Sequence, residues 1–266
     1  MACLYNRVNH GLGPRERDVL ASPDLEKIPK APQAGVIVGN DQIMHNGIKV
    51  AVGTYYAESM HRRFFAVTQG VHEPQEEYVF QEVLKVMEPG STMLELGAHW
   101  GFYSLWFQKE VARARTILVE PEMTYLNSGR LNFAINGYEG TFIHGYVSRK
   151  PWLNPTNAAT LTVDGIAESL GIDRIHILHS DIQGGEHEML QGAKGLIDKR
   201  CIDYLFISTH SSLLHEDCKQ FLLGHDYFIV AEHTLRESYS VDGLIVARRS
   251  ELKGIGPVAV AKKDSL

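Results

Sequence analysis

Cysteine is scarce in this chain. Cys3, Cys201 and Cys218 make neither a metal-type pair nor a disulfide framework, so a reducing, cytoplasmic setting is expected. Basic residues are outnumbered: 26 Lys and Arg stand against 32 Asp and Glu, a formal net charge of −6. A general nucleic-acid binder needs the opposite balance, so nucleic acid is not an expected partner. No apolar run approaches the ~18 residues that span a bilayer, and no membrane association is expected. The opening MACLYNRVNHG has no basic stretch followed by an apolar one, and no secretory signal is read there. The Gly-x-Gly-x-x-Gly turn of dinucleotide binders is also missing, which argues against a nicotinamide-dependent oxidoreductase.

Two short segments carry the positive signal. Ser91 to Gly101, STMLELGAHWG, is an apolar run ending in a Gly-x-x-x-Gly turn. Leu118 to Glu122, LVEPE, is a second apolar run ending in an acid about twenty residues on. A strand, a glycine turn, a helix and a strand tipped with a carboxylate is how a Rossmann-like sheet holds a nucleoside. Glu95, just before the turn, would repel a pyrophosphate and suits a ligand with a cationic amine. S-adenosylmethionine (SAM) has that chemistry, which points to a methyltransferase.

The surrounding pattern is alternating. Residues 1–34 read as an irregular arm, and Val36 to Val52 as a β-hairpin turning at Asn46-Gly47, with Asn40-Asp41 as a second possible turn. From Pro74, PQEEYVFQEVLKVME has a first-position proline, acids in the first turn and apolar residues at helical spacing. Strands are then expected at Met93–Leu96, Thr116–Val119, Thr141–Val147, Arg174–Leu178, Tyr204–Ser208, Tyr227–Ala231 and Gly243–Ala247. Helices are expected between them, including Leu161–Leu170 and Glu186–Leu196. The expectation is an α/β fold with a seven-stranded, mostly parallel sheet, its last strand antiparallel because the final link is short. The division expected is an arm and hairpin (1–69), a catalytic domain (70–250) and a tail (251–266). A lid over the site and a homo-oligomer contact are both open to the arm.

The pieces GVHEPQEE, LELGAHWGFYS, LVEPEMTYLNSGRLNFAINGY, TVDGIAESLGIDRIHILHSDIQGGEHEMLQGA and DGLIVARR, in that order, resemble the FkbM family of SAM-dependent methyltransferases. They cover about two-thirds of the chain, from Gly70 to Arg249. The resemblance implies a Rossmann-like class I methyltransferase sheet, and activity on hydroxyl groups of sugars and natural products. Two positions depart from the family pattern. His179 stands where members often have Lys, and Gln183 where they usually have Glu, so one charge of each sign is missing.

The candidate residues follow. Gly97 and Gly101 are expected to present backbone N–H groups to the methionine carboxylate, with Ala98 between them and Glu95 supporting the amine. Glu120 is expected to accept the ribose hydroxyls, with Pro121 fixing the strand exit and Glu73 reaching the cofactor. Trp100, Tyr103 and His72 are candidates for the acceptor pocket. Asp181 ends the fourth strand and His210 the fifth, at the carboxyl edge where open α/β sheets build their sites. Asp181 reads as a base, an orienting group or a ligand of a divalent metal such as magnesium. His210 reads as the partner ligand or the general base, with His187 a further catalytic candidate. The acceptor expected is a small molecule. Nitrogen or carboxylate acceptors, and a non-catalytic SAM-fold module, are the alternatives.

Overall fold

A computed structural model describes residues 12–53, 59–153 and 158–263. Its centre is a nine-stranded sheet in the order β11-β12-β10-β9-β4-β5-β6-β8-β7. The strands are β4 (Thr92–Leu96), β5 (Arg115–Glu120), β6 (Thr141–Val147), β7 (Trp152–Leu153), β8 (Ala159–Leu161), β9 (Ile175–Ser180), β10 (Ile202–Thr209), β11 (Tyr227–His233) and β12 (Gly243–Arg249). The seven expected strands are the first seven in that order, and β12 runs antiparallel to both neighbours. Every residue of β4 and β10 is buried, as a parallel sheet covered on both faces demands.

The added strands β7 and β8 extend the far edge, β8 parallel to β6. They take Leu161 from the expected helix, which starts instead at Val163, where the Thr162 side chain accepts from Gly165 N. The expected helix Glu186–Leu196 is two, Glu186–Gly192 and Lys194–Asp198. Gly192 passes so near the loop after β6 that a Cβ there would lie 2.3 Å from the Ser148 carbonyl oxygen.

The N-terminal segment is more regular than its composition predicts. Helix Pro14–Ala21 has proline in its first turn, and a 3-10 turn at Pro23–Lys27 is capped by the Ser22 side chain. Turns form at Asn46-Gly47 and at Gly39-Asn40, one residue before the second anticipated turn, so the hairpin is a three-stranded sheet of β1 (Ile37–Val38), β2 (Asp41–Ile43) and β3 (Lys49–Ala51). A helix at Ser59–Thr68, unforeseen in the sequence, follows. Val19, Met44, Ile48, Phe64 and Phe65 from these elements join the core on one face of the main sheet. A second core, including Ile166, Met189 and Leu222, covers the other face. Burying aliphatic side chains of this size stabilises by roughly 1.5–3 kcal/mol each. Residues beyond 250 run back over the arm: Ala261 N donates to Asp24, and Gln75 donates to the Ala261 carbonyl. Among the described residues no helix is long and apolar enough to cross a membrane.

Candidate active site

The chain leaves β4 to one side for β5 and β6 and to the other for β9 and β10, so the sheet splits at the carboxyl ends of β4 and β9. There Asp181 N donates to the Leu96 carbonyl at 3.0 Å. The approach is close enough to require glycine at 97. Its φ is +70°, and a Cβ would fall 1.9 Å from the Asp181 carbonyl oxygen. His99 (φ 47°) and Gln183 (φ 60°), on the two facing turns, also hold left-handed backbone. Non-glycine residues rarely do so unless their surroundings enforce it, and such strain gathers at functional sites.

Two of the three expected cofactor carboxylates, Glu120 and Glu95, brace this turn. Glu120 accepts from His99 N (2.8 Å) through one oxygen and from Glu122 N (2.9 Å) through the other. Burial raises its pKa, against the two backbone hydrogen bonds. Each oxygen keeps a lone pair for a further donor. Glu95 accepts from Ser104 N at 3.0 Å, tying the turn to helix Phe102–Glu110. Burial raises its pKa too, opposed by the charge of His179. The expected N–H donors are used within the protein: Gly97 N and Ala98 N donate to the Val119 carbonyl, and Gly101 N to that of Ala98. The turn therefore offers a ligand shape rather than free donors. Gly101 lines neither cavity described below, and a Cβ on it would press on Leu118 and Phe133.

Two cavities meet here, sharing Gly97, His99, Asp181 and Gln183. One, of about 480 Å³, is lined by Glu120, Pro121, Tyr125, Val147 and Ile182. The other, of about 490 Å³, brings together His72, Glu73, Glu95, Trp100 and Tyr103 from the expected set. Arg15, Phe64 and Phe65, from the arm helix and helix Ser59–Thr68, also line it. Those two helices were not foreseen, and neither was their contribution to the site.

Asp181 and His210 come together as expected, because they end adjacent parallel strands. His210 Nε2 lies 3.2 Å from Asp181 and 3.4 Å from Asp242, without an aligned hydrogen bond to either. Its Nδ1 is 2.8 Å from Glu186, which is fully buried. Burial alone would lower the His210 pKa, but the close contacts with Asp181 and Glu186 and the charge of Asp242 raise it to about 10. That direction favours the imidazolium over the neutral form expected of a general base. Burial acts to raise the Asp181 pKa, but the contact with His210 outweighs it and the pKa is lowered. Asp242, in the connection between β11 and β12, had no signal in the sequence beyond its place before the strand Gly243–Arg249. His187 does not join this group: it packs edge-on against Phe221, 5.9 Å between rings, and lines neither cavity.

Behind the second cavity lies a buried charge network. His179 Nε2 is 2.8 Å from Glu76, whose other oxygen accepts from Ser208. Desolvation acts to lower the His179 pKa, but Glu76 prevails and raises it to about 9. The position that the family often fills with Lys therefore keeps its positive charge. Gln183 is not its partner; it donates to Asp181 at 3.2 Å. Glu77, fully buried, accepts from the backbone N–H of His72 and Glu73 and lies 2.7 Å from His72 and 3.0 Å from His45. Desolvation opposes its ionisation, yet the two histidines hold its pKa well below the usual carboxylate range.

Residues 146–229 match the Methyltransferase FkbM domain. Among solved structures, the FkbM methyltransferase of Methylobacillus flagellatus KT superposes with a TM-score of 0.51 at 18% identity, over 61% of this chain and 44% of that one. This chain thus spans less than half the length of that protein. The precorrin-6y C5,15-methyltransferase of Geobacter metallireducens GS-15 gives a TM-score of 0.46 at 16% identity, over 65% of this chain and 86% of that one. M. capricolum TrmK, solved with S-adenosylhomocysteine (SAH), gives 0.45 at 14%, over 65% and 68%. No curated protein matches the chain.

Proposed function

We propose, from the match of residues 146–229 to the Methyltransferase FkbM domain, that the chain is a SAM-dependent methyltransferase that methylates a hydroxyl of a small acceptor of the sugar or natural-product type. The observation that carries this reading is the pair of cavities joined at the β4 turn. The Glu120 side suits the nucleoside, since its carboxylate has lone pairs for two ribose hydroxyls. The other side suits the acceptor. Aromatic faces such as Trp100 and Phe65 pack on the C–H face of a sugar, and Glu73, Asp181 and Asp242 accept from its hydroxyls. Phosphate-rich acceptors would meet those carboxylates unfavourably, which supports a small neutral or cationic acceptor over nucleic acid.

SAM, when bound, supplies a methyl group on a cationic sulfur. The chain's own contribution is alignment and charge: the Gly97 turn lets a ligand approach the backbone, and Asp181, fixed by His210 and Gln183, orients a hydroxyl. Asp181, His210 and Asp242 also place one donor atom each within 4.8 Å of one another, a set that suits a divalent ion such as magnesium. Glu186 at Nδ1 would orient the imidazole for it. Chelation separates the two versions of this site. Activity lost in EDTA and restored by magnesium supports a metal, and undiminished activity supports the bare ion pair.

The test of the function is product analysis after incubation with SAM and parallel panels of polyols, amines and carboxylic acids. A methyl ether is expected. An N-methyl product or an ester would move the acceptor class, and no product from any panel would favour a non-catalytic module.

A further inference from the structure

We infer that Glu73 is the general base that removes the acceptor's hydroxyl proton. The inference rests on the methyltransferase reading above and adds the group that it lacks. The strand-end pair is engaged already: His210 is set among Asp181, Glu186 and Asp242, and Asp181 accepts from Gln183. The carboxylates beside His72 and His179 raise the pKa of each, that of His179 to about 9, against desolvation.

Glu73 has the geometry instead. It lines the cavity assigned to the acceptor, with Asp181 on the same cavity. Its backbone is fixed at both ends of the peptide unit. Glu73 N donates to Glu77 Oε1, and Glu77 N donates back to the Glu73 carbonyl at 2.8 Å. The Tyr103 hydroxyl donates to Oε2 at 2.9 Å, which orients the carboxylate and leaves Oε1 for an acceptor proton. Arg15 Nη2 stands 4.0 Å from that Oε1 and His72 Nε2 3.7 Å from Oε2. The other charged groups facing it are Glu76 and Glu77 from its own helix and Asp181 and Asp242 from the strand ends. Burial first, then the charges of Glu76 and Asp181, bring its pKa up to about 7, against His72 and Arg15. A base works best when its pKa lies near the working pH.

The step balances. The acceptor oxygen uses a lone pair to form the O–CH3 bond, the S–CH3 bond breaks with its electrons going to sulfur, and the acceptor proton passes to Glu73 Oε1. The net charge in the cavity changes with it. A cationic ligand favours ionised Glu73 beforehand, and its neutral product favours protonated Glu73 afterwards. Cofactor charge and base are thereby coupled.

The experiment is calorimetric titration of the full chain with SAM and with SAH at pH 6 and pH 8, for wild type, Glu73→Gln and Glu73→Asp. The ratio of SAM to SAH affinity should rise with pH in wild type, by up to ~10-fold for each unit by which the cation lowers the pKa of Glu73. Glu73→Gln should lose that rise while still binding SAH, so the ligands' own titrations cancel in the comparison. Its kcat should fall ~10²–10⁴-fold, with Glu73→Asp recovering part. An equal rise in Glu73→Gln, or an unchanged kcat, would overturn the role. Wild type binding neither ligand would instead overturn the methyltransferase reading beneath it.

Discussion

At the scale of single residues, the site is a set of charges that define one another. His210 is the clearest case, with three carboxylates around one imidazole. Its folded pKa lies above the unfolded value of 6.5, so its stabilisation is complete below about that pH and is lost as pH rises through about 10. Asp181 has the opposite sign: its contribution is present above the unfolded 3.8 and is lost in acid. His210→Ala should therefore lower Tm more at pH 5, where the whole contribution is present, than at pH 8, where part of it is already lost. A Tm loss equal at both values would remove the charge argument. Glu120 is a second case, because it ties His99 and Glu122 to the strand end as well as facing the cavity. Charged hydrogen bonds contribute roughly 1.5–3 kcal/mol, so Glu120→Ala should weaken SAH binding by about 10- to 100-fold, read by titration calorimetry. Wild-type affinity would show that the carboxylate does not meet the ligand.

At the scale of elements, the helix Pro74–Leu84 carries much of the electrostatic design. Glu76 holds His179, and Glu77 holds the loop at His72 and Glu73. Removing one partner from a buried ion pair costs about 3–5 kcal/mol. Glu77→Gln should lower the unfolding free energy from denaturant titration by that order and loosen the loop bearing Glu73; a value unchanged from wild type would contradict the network. This scale also shows what the sequence made legible. The central strands read to within a few residues, since burial on both faces writes near-continuous apolar runs such as Thr116–Val119 and Tyr204–Ser208. Helix Ser59–Thr68 did not read, because its Arg62-Arg63 and Phe64-Phe65 pairs put like residues side by side rather than at helical spacing. Strands β7 and β8 are too short to carry a period. The meeting of Asp181 with His210 was legible because strand ends are ordered by topology. Asp242 was not, because the link before the last strand has no periodicity to fix its direction. The charge on His179 was hidden for another reason: its partner Glu76 lies 103 residues away in sequence.

At the scale of the whole molecule, the arm helix Pro14–Ala21 is built onto the site and the segment after β12 is built onto the arm. The arm supplies Arg15 to the acceptor cavity, and the segment after β12 holds the arm through Asp24–Ala261 and Lys263–Asp18 contacts. Asp24 is fully buried, so losing its carboxylate leaves the Ala261 N–H unpaired, at a cost of about 1–3 kcal/mol. Asp24→Ala should speed proteolytic cleavage within the arm and raise the acceptor KM while leaving SAH affinity unchanged. An equal loss of SAH affinity would mean that the arm supports the cofactor side instead.

The account stands or falls on the cofactor. Titration of purified wild-type protein with SAH, with NAD as the control ligand, tests it most directly. One-site binding of SAH at micromolar affinity or tighter, with no response to NAD, is the result predicted. No heat from SAH, or binding of NAD in its place, would contradict the reading of the β4 turn and Glu120 as a SAM site.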